Sequence, residues 1–83
     1  MRILYFAWVR ERVGHAEEAL EVPAHVASVA DLISWLEGRG ENYRAAFAER
    51  KAIRAAVNQT HVPLDAPLAG ATEVAFFPPV TGG

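Results

Sequence analysis

The residues best suited to chemistry stand at the end of the chain, in the stretch Pro78-Pro79-Val80-Thr81-Gly82-Gly83. Each proline fixes its own φ and favours extended backbone in the residue before it, so we expect a stiff spacer that leaves the body of the protein. Two glycines without Cβ atoms then allow the backbone to enter a channel too narrow for a side chain. The group that such a tail presents is the α-carboxylate of Gly83.

A carboxylate is unreactive until one of its oxygens becomes a leaving group, as happens when ATP converts it to an acyl-adenylate. The activated carbonyl can then accept sulfur and become a thiocarboxylate, or it can be attacked by an amine that joins this protein to another. A thiocarboxylate sulfur is anionic near neutral pH and polarizable, which suits donation to an electrophilic carbon. The tail therefore allows a sulfur carrier, a ubiquitin-like modifier or an interaction module whose tail is inert.

Length and charge restrict the class of protein. The 83 residues are enough for one domain with one core, and 52% of them are hydrophobic. So short a chain has little room for a deep active-site cleft, which favours a carrier or binding module over an enzyme that acts alone. The net charge of −2 provides no basic footprint for nucleic acid or for an anionic membrane.

The sequence lacks the residues that several kinds of chemistry require. The sequence contains no cysteine, which excludes disulfides, thiol redox chemistry and cysteine nucleophiles. The three histidines, His15, His25 and His61, are isolated and do not have metal-ligand spacing, so we expect no metal site. No apolar stretch is long enough to span a bilayer, and cytoplasmic residence is the expectation.

The first half of the chain predicts two strands and a helix. In residues 3–9 both the odd-numbered and the even-numbered positions are apolar, as in a strand that is covered on both faces. A charged connection then leads to a short strand at 19–22. Ser28 is placed to cap a helix that ends at the glycines 38 and 40. The residues that fall on one face of this helix are Val29, Leu32, Ile33 and Leu36.

The second half predicts a shorter helix over residues 41–50 and strands at 52–57 and 73–77, with a turn at 58–61 and a brief strand opening at Val62. This order of elements is typical of an α+β domain. Because both ends of the chain are strand-like, we predict a β-grasp fold in which the first and last strands lie side by side at the centre of a mixed sheet. Residues 1–77 would form this domain and residues 78–83 its extended tail.

The sequence resembles the small subunit of molybdopterin synthase, the MoaD-type ubiquitin-like sulfur carrier. The resemblance runs from one terminus to the other and is most specific at the end. It is carried by Ile3-Leu4-Tyr5-Phe6-Ala7 with Arg10-Glu11, Ser28-Val29-Ala30-Asp31-Leu32, Ala56-Val57-Asn58-Gln59, Pro67-Leu68 and Glu73-Val74-Ala75-Phe76-Phe77-Pro78-Pro79-Val80-Thr81-Gly82-Gly83.

The resemblance implies that an ATP-dependent activating enzyme (E1-like) adenylates Gly83, which is then thiocarboxylated, with no cofactor bound stably. It also implies that the tail enters the active site of a large synthase subunit and donates sulfur to cyclic pyranopterin monophosphate, forming molybdopterin. Two small and two large subunits would assemble, and the acid/base residues would lie on the large subunit. Sulfur carriers of thiamine synthesis are similar in fold and in their final Gly-Gly.

The same resemblance implies a docking surface on the body of the protein. By position, Phe6, Phe77 and His61 would belong to its hydrophobic part and Arg10 to its charged edge. His61 departs from the family pattern, which often has an apolar residue there. The alternative to a docking role for Phe6 and Phe77 is that both side chains are ordinary members of the hydrophobic core.

Overall fold

Five strands form one mixed sheet in the computed structural model, which describes residues 1–79. The strands are β1 (Arg2–Tyr5), β2 (Glu17–Ala19), β3 (Arg54–Val57), β4 (Thr60–Val62) and β5 (Glu73–Phe77). The helices are α1 (Ala7–Val13), α2 (Val29–Glu37) and α3 (Glu41–Phe47), with a 3₁₀ turn at Arg50–Ala52.

The first and last strands occupy the centre of the sheet, whose order is β2-β1-β5-β3-β4. Strands β1 and β5 are parallel, with Ile3 opposite Val74 and Tyr5 opposite Phe76, while the other neighbours pair antiparallel. The predicted β-grasp fold is confirmed. The division into a domain and a tail at residue 77 stays a prediction, because residues 80–83 lie outside the described part of the chain.

The predicted strand over residues 3–9 is wrong beyond Tyr5. The chain turns at Ala7, whose φ of 53° lies in the left-handed region, and continues as α1. Val9 and Val13, one helical turn apart, are buried in the core, which explains why the apolar run continued past the strand. Gly14, with φ of 92°, ends the helix and donates its N–H to the carbonyl of Arg10 at 2.8 Å.

Four other boundaries differ from the prediction. Helix α3 ends at Phe47 rather than at residue 50, and β3 begins at Arg54 rather than at residue 52, because residues 50–52 form the 3₁₀ turn between them. Strand β2 lies at Glu17–Ala19 rather than at 19–22, because its pairing places Glu18 opposite Ile3. Strand β4 begins at Thr60, so the turn before it contains only Asn58 and Gln59. Helix α2 is confirmed, and the Ser28 hydroxyl accepts a hydrogen bond from the Asp31 N–H at 3.1 Å as its cap.

The helices pack on one face of the sheet and bury a single core there. Its largest fully buried side chains are Tyr5, Phe47, Phe76, Ile3, Leu32, Ile33, Leu36 and Ile53. The ring of Phe76 packs against those of Tyr5 and Phe47 at centroid distances of 6.4 and 5.1 Å. The last strand therefore anchors the core as well as the centre of the sheet.

Glu18 joins β2 to the core and to α3. Its carboxylate accepts hydrogen bonds from the phenols of Tyr5, at 2.9 Å, and Tyr43, at 2.7 Å, and Arg39 lies 3.7 Å away. Burial raises the pKa of both phenols, and the hydrogen bond to the carboxylate raises it further. The folded state therefore holds both phenolic protons more tightly than the unfolded chain does.

This difference predicts a loss of stability at alkaline pH. The contribution of the phenols is fully present below the unfolded tyrosine pKa of about 10, and it decreases as the pH rises above that value. For one phenol the free energy of unfolding should decrease by about 1.4 kcal/mol per pH unit in that range. Urea unfolding at several pH values between neutrality and about 11 measures the slope, which should be shallower in the Y5F/Y43F variant. Equal slopes for the two proteins would contradict this account.

Asn58 connects the β3–β4 turn to the start of β5. Both turn residues have positive φ, 49° for Asn58 and 70° for Gln59, as a two-residue hairpin turn requires. The Asn58 carbonyl oxygen accepts hydrogen bonds from the N–H groups of Thr72, at 2.9 Å, and Glu73, at 3.1 Å. The turn thereby fixes where the last strand begins.

We expect Asn58→Ala to destabilise the protein by about 2 kcal/mol, because it leaves the two donors of the strand start without their acceptor. Gln59→Gly is the matched control in the same turn, and it should not lower stability, since glycine reaches positive φ without strain. Thermal or urea unfolding of the two variants measures the difference. Equal stabilities would show that the Asn58 side chain is dispensable.

Candidate partner-docking surface and C-terminal tail

The face of the sheet opposite the helices is the candidate docking surface. Side chains alternate along a strand, so the burial of Val74 and Phe76 against the helices places Ala75 and Phe77 on the other face. Ala56 lies opposite Ala75 in the sheet, and both are small. Sequence reasoning missed these two alanines, although the alternation along β3 and β5 could have identified them.

Phe6 and Phe77 lie at the ends of the two central strands. The Phe6 N–H donates to the carbonyl of Phe76 at 3.0 Å, which continues the β1–β5 pairing by one residue. Phe6 is 49% exposed, and no other large hydrophobic side chain within residues 1–79 is as open to solvent. Phe77 is half-buried. An exposed aromatic of this kind is a typical interface anchor, and the alternative of a core position for Phe6 is excluded.

His61 shares this face with Phe77. It pairs with Ala56, and its ring lies against the ring of Phe77 with centroids 5.0 Å apart and planes tilted by 42°. His61 is exposed. An imidazole at this position covers part of the phenylalanine ring and also offers hydrogen-bonding nitrogens to a partner.

Arg10 lies one helical turn after Phe6, on the exposed side of α1. Within residues 1–79 no carboxylate lies within ion-pair distance of it. The structure thus brings together Phe6, Phe77 and His61 near the end of the central strands, with Arg10 beside Phe6. Their assignment to partner docking stays a prediction.

The tail begins directly after this surface. Pro78 and Pro79 follow β5 and are half-buried. The remaining predicted tail residues, Val80, Thr81, Gly82 and Gly83, lie outside the described residues. The direction of β5 nevertheless means that the chain reaches the end of the open face, beside Phe6, just before the tail.

Neither a metal centre nor a membrane span is found in the described chain. Among residues 1–79 no three side chains of the metal-binding types His, Asp and Glu lie together. The helices found in that same range are all too short or too polar to cross a bilayer.

A β-grasp domain whose central strand leads through two prolines to a final Gly-Gly defines the class of ubiquitin-like carrier proteins. Within this class the chain belongs to the ThiS family, whose sequence model matches residues 3–83. That match includes the whole tail.

Relatives and a solved structure agree with this assignment. The molybdopterin synthase sulfur carrier subunit of Escherichia coli is 45% identical over 83 residues, covering 100% of this chain and 99% of the relative. The protein of the same name from Mycosarcoma maydis is 34% identical, with coverage of 100% and 92%. The small archaeal modifier protein 1 of H. volcanii is 26% identical and superposes with a TM-score of 0.71, covering 96% and 97% of the two chains. The resemblance predicted from the sequence is confirmed.

Phe6 and Phe76, neighbours across the two central strands, allow a direct test of which side chain serves the core. We expect Phe6→Ser to change the free energy of unfolding by less than about 1 kcal/mol, because this side chain is largely outside the core. Phe76→Ala should cost about 3–5 kcal/mol, because it opens a cavity between Tyr5 and Phe47. Urea unfolding of both variants measures the contrast. A large loss in Phe6→Ser would mean that this residue serves the fold.

Proposed function

We propose that this protein is the sulfur carrier subunit of a molybdopterin synthase and acts in molybdenum cofactor biosynthesis. The observation that carries the proposal is the full-length similarity to carrier subunits of that name, which extends through the Gly-Gly terminus. The open sheet face with its exposed Phe6 beside the root of the tail supports it, since a carrier must be held while its end reacts.

The chemistry takes place at Gly83. An activating enzyme uses ATP to convert the terminal carboxylate to an acyl-adenylate, with release of pyrophosphate. A sulfur donor then attacks the carbonyl carbon, AMP leaves, and the product is a thiocarboxylate. In the synthase the thiocarboxylate sulfur bonds to a carbon of cyclic pyranopterin monophosphate, and water then hydrolyses the acyl–sulfur bond, which leaves the sulfur on the pterin and regenerates the carboxylate of Gly83. Two such transfers, one sulfur each, are needed to form the dithiolene.

The body of the protein supplies recognition. The docking surface of Phe6, Phe77 and His61 packs against the large subunit, and Arg10 pairs with an acidic group at its edge. Docking orients the stiff Pro78-Pro79 segment towards the large subunit's active site, where the acid/base residues lie. We place the complex, two small and two large subunits, in the cytoplasm.

A second function is favoured by one observation, the likeness to small archaeal modifier protein 1. The same acyl-adenylate could be attacked by a lysine of another protein, forming an isopeptide bond. That function requires covalent adducts of this chain in the cell. A thiamine-type sulfur carrier, by contrast, would use the same thiocarboxylate with a different acceptor.

Intact-mass measurement tests the carrier function. We expect the full chain, incubated with ATP, a sulfide source and the activating enzyme of the same organism, to gain the mass that replaces one oxygen by sulfur. A variant without Gly83 should show no gain but should unfold at the same temperature, because the tail contributes little to the core. An unchanged wild-type mass with an active enzyme would contradict the proposal, and a mass increase equal to another protein would indicate the modifier function.

A further inference from the structure

A groove of about 380 Å³ opens beside the docking surface, at the edge of the sheet formed by β4. Apolar side chains form its floor, where Val62 and Leu64 are half-buried and Ile53 is fully buried. Pro63 forms an exposed part of its wall. The groove is large enough to receive one or two side chains.

Three cations surround this groove, and two of them have no anionic partner among residues 1–79. Arg50 is occupied, since it donates to the carboxylate of Glu37 at 2.9 Å and to the hydroxyl of Ser34 at 2.8 Å. Arg54 donates only to backbone carbonyls, those of Lys51 at 3.0 Å and Ile53 at 3.1 Å. Over residues 1–79 no carboxylate lies within ion-pair distance of Arg54 or Lys51.

These two cations are exposed and remain uncompensated in a protein whose net charge is −2. Backbone hydrogen bonds hold the Arg54 guanidinium beside the groove, which reduces the side-chain entropy that an ion pair there would cost. A preorganised cation at the edge of an apolar floor is complementary to a carboxylate that follows an apolar side chain.

The groove lies around the β4 edge from the docking surface, because Val62 pairs with the core-side Ala55 whereas His61 pairs with the open-face Ala56. Arg54 lies directly opposite Phe77 in the β3–β5 register, and both follow the alternation that places them on the open face. His61 and Val62 are consecutive on β4, with His61 against Phe77 and Val62 in the groove. A partner that covers Phe77 therefore reaches the groove by passing Arg54 and bending around the β4 edge of the sheet.

We propose that this groove binds an extended segment of the synthase large subunit, with an apolar side chain on the Val62 and Leu64 floor and carboxylates paired with Lys51 and Arg54. The proposal rests on the proposed function. A phosphate ligand would leave the apolar floor unused, and the net negative charge disfavours a nucleic acid. An acidic and apolar peptide uses both features.

The consequence for recognition is selectivity between large subunits. Charged pairs at the edge of an interface accelerate association and reject partners of the wrong charge. A large subunit with basic residues at this place would meet Lys51 and Arg54 as like charges. The aromatic surface of Phe6 and Phe77 then contributes binding energy with any large subunit, and the groove distinguishes the matching large subunit from the others.

The test is calorimetric titration of the full chain with the large subunit from the same organism, at low and at physiological salt. Arg54→Glu and Lys51→Glu should each weaken binding by about tenfold at low salt, and the loss should shrink as the salt concentration rises. Arg44→Glu is the matched control, because Arg44 lies on α3 and pairs with Glu41 away from the groove. It should bind like the wild type.

The outcomes separate this proposal from the proposed function. Wild-type affinity in both groove variants, together with weakened binding by Phe6→Ser, would overturn the groove and leave the carrier function intact. Failure of the wild-type chain to bind would overturn both. If the groove variants bind the large subunit normally but bind the activating enzyme more weakly in the same titration, the large subunit is not the occupant of the groove. The Lys51→Glu variant should fold normally, since the Lys51 side chain makes no hydrogen bond or ion pair within residues 1–79. Weaker binding by this variant is therefore not explained by misfolding.

Discussion

The parallel pairing of β1 with β5 is the constraint on which the rest of the molecule depends. It joins the two ends of the described chain at the centre of the sheet and aligns Tyr5 with Phe76 in the core. Since side chains alternate, the residues that follow each of these, Phe6 and Phe77, must point to the open face. One strand pairing thus produces the core, the aromatic pair on the open face and the position from which the tail begins.

The proposed function separates recognition, assigned to the body, from chemistry, assigned to the tail. The body presents an apolar centre flanked by cations, with Phe6 and Phe77 between Arg10 on one side and Arg54 on the other. This is the arrangement of an interface with an apolar core and a polar rim. In the proposed function the reactive group belongs to the tail, so the body needs no cleft of its own. The proposed function therefore asks an 83-residue chain only for recognition and a reactive end, and it assigns the catalytic residues to other proteins.

The sequence by itself determined the elements whose signals are local. The cap and apolar face of α2 identified that helix because Ser28 and its periodic apolar residues are all within three turns. The strand at Glu73–Phe77 and the β-grasp order followed from the apolar ends of the chain. The prediction about the tail also rests on local sequence, because Pro-Pro and Gly-Gly restrict or free the backbone without help from neighbours.

Tertiary structure alone decided the features that depend on distant contacts. Residues 3–9 fit a strand on both faces, and only the burial of Val9 and Val13 under the other helices makes α1. Strand β2 lies where Glu18 can accept from Tyr5, a partner that no local pattern indicates. The approach of His61 to Phe77 and the groove beside Arg54 arise from sheet register, which joins residues far apart in sequence. Local sequence specifies backbone preference, whereas register and burial are set by the whole fold.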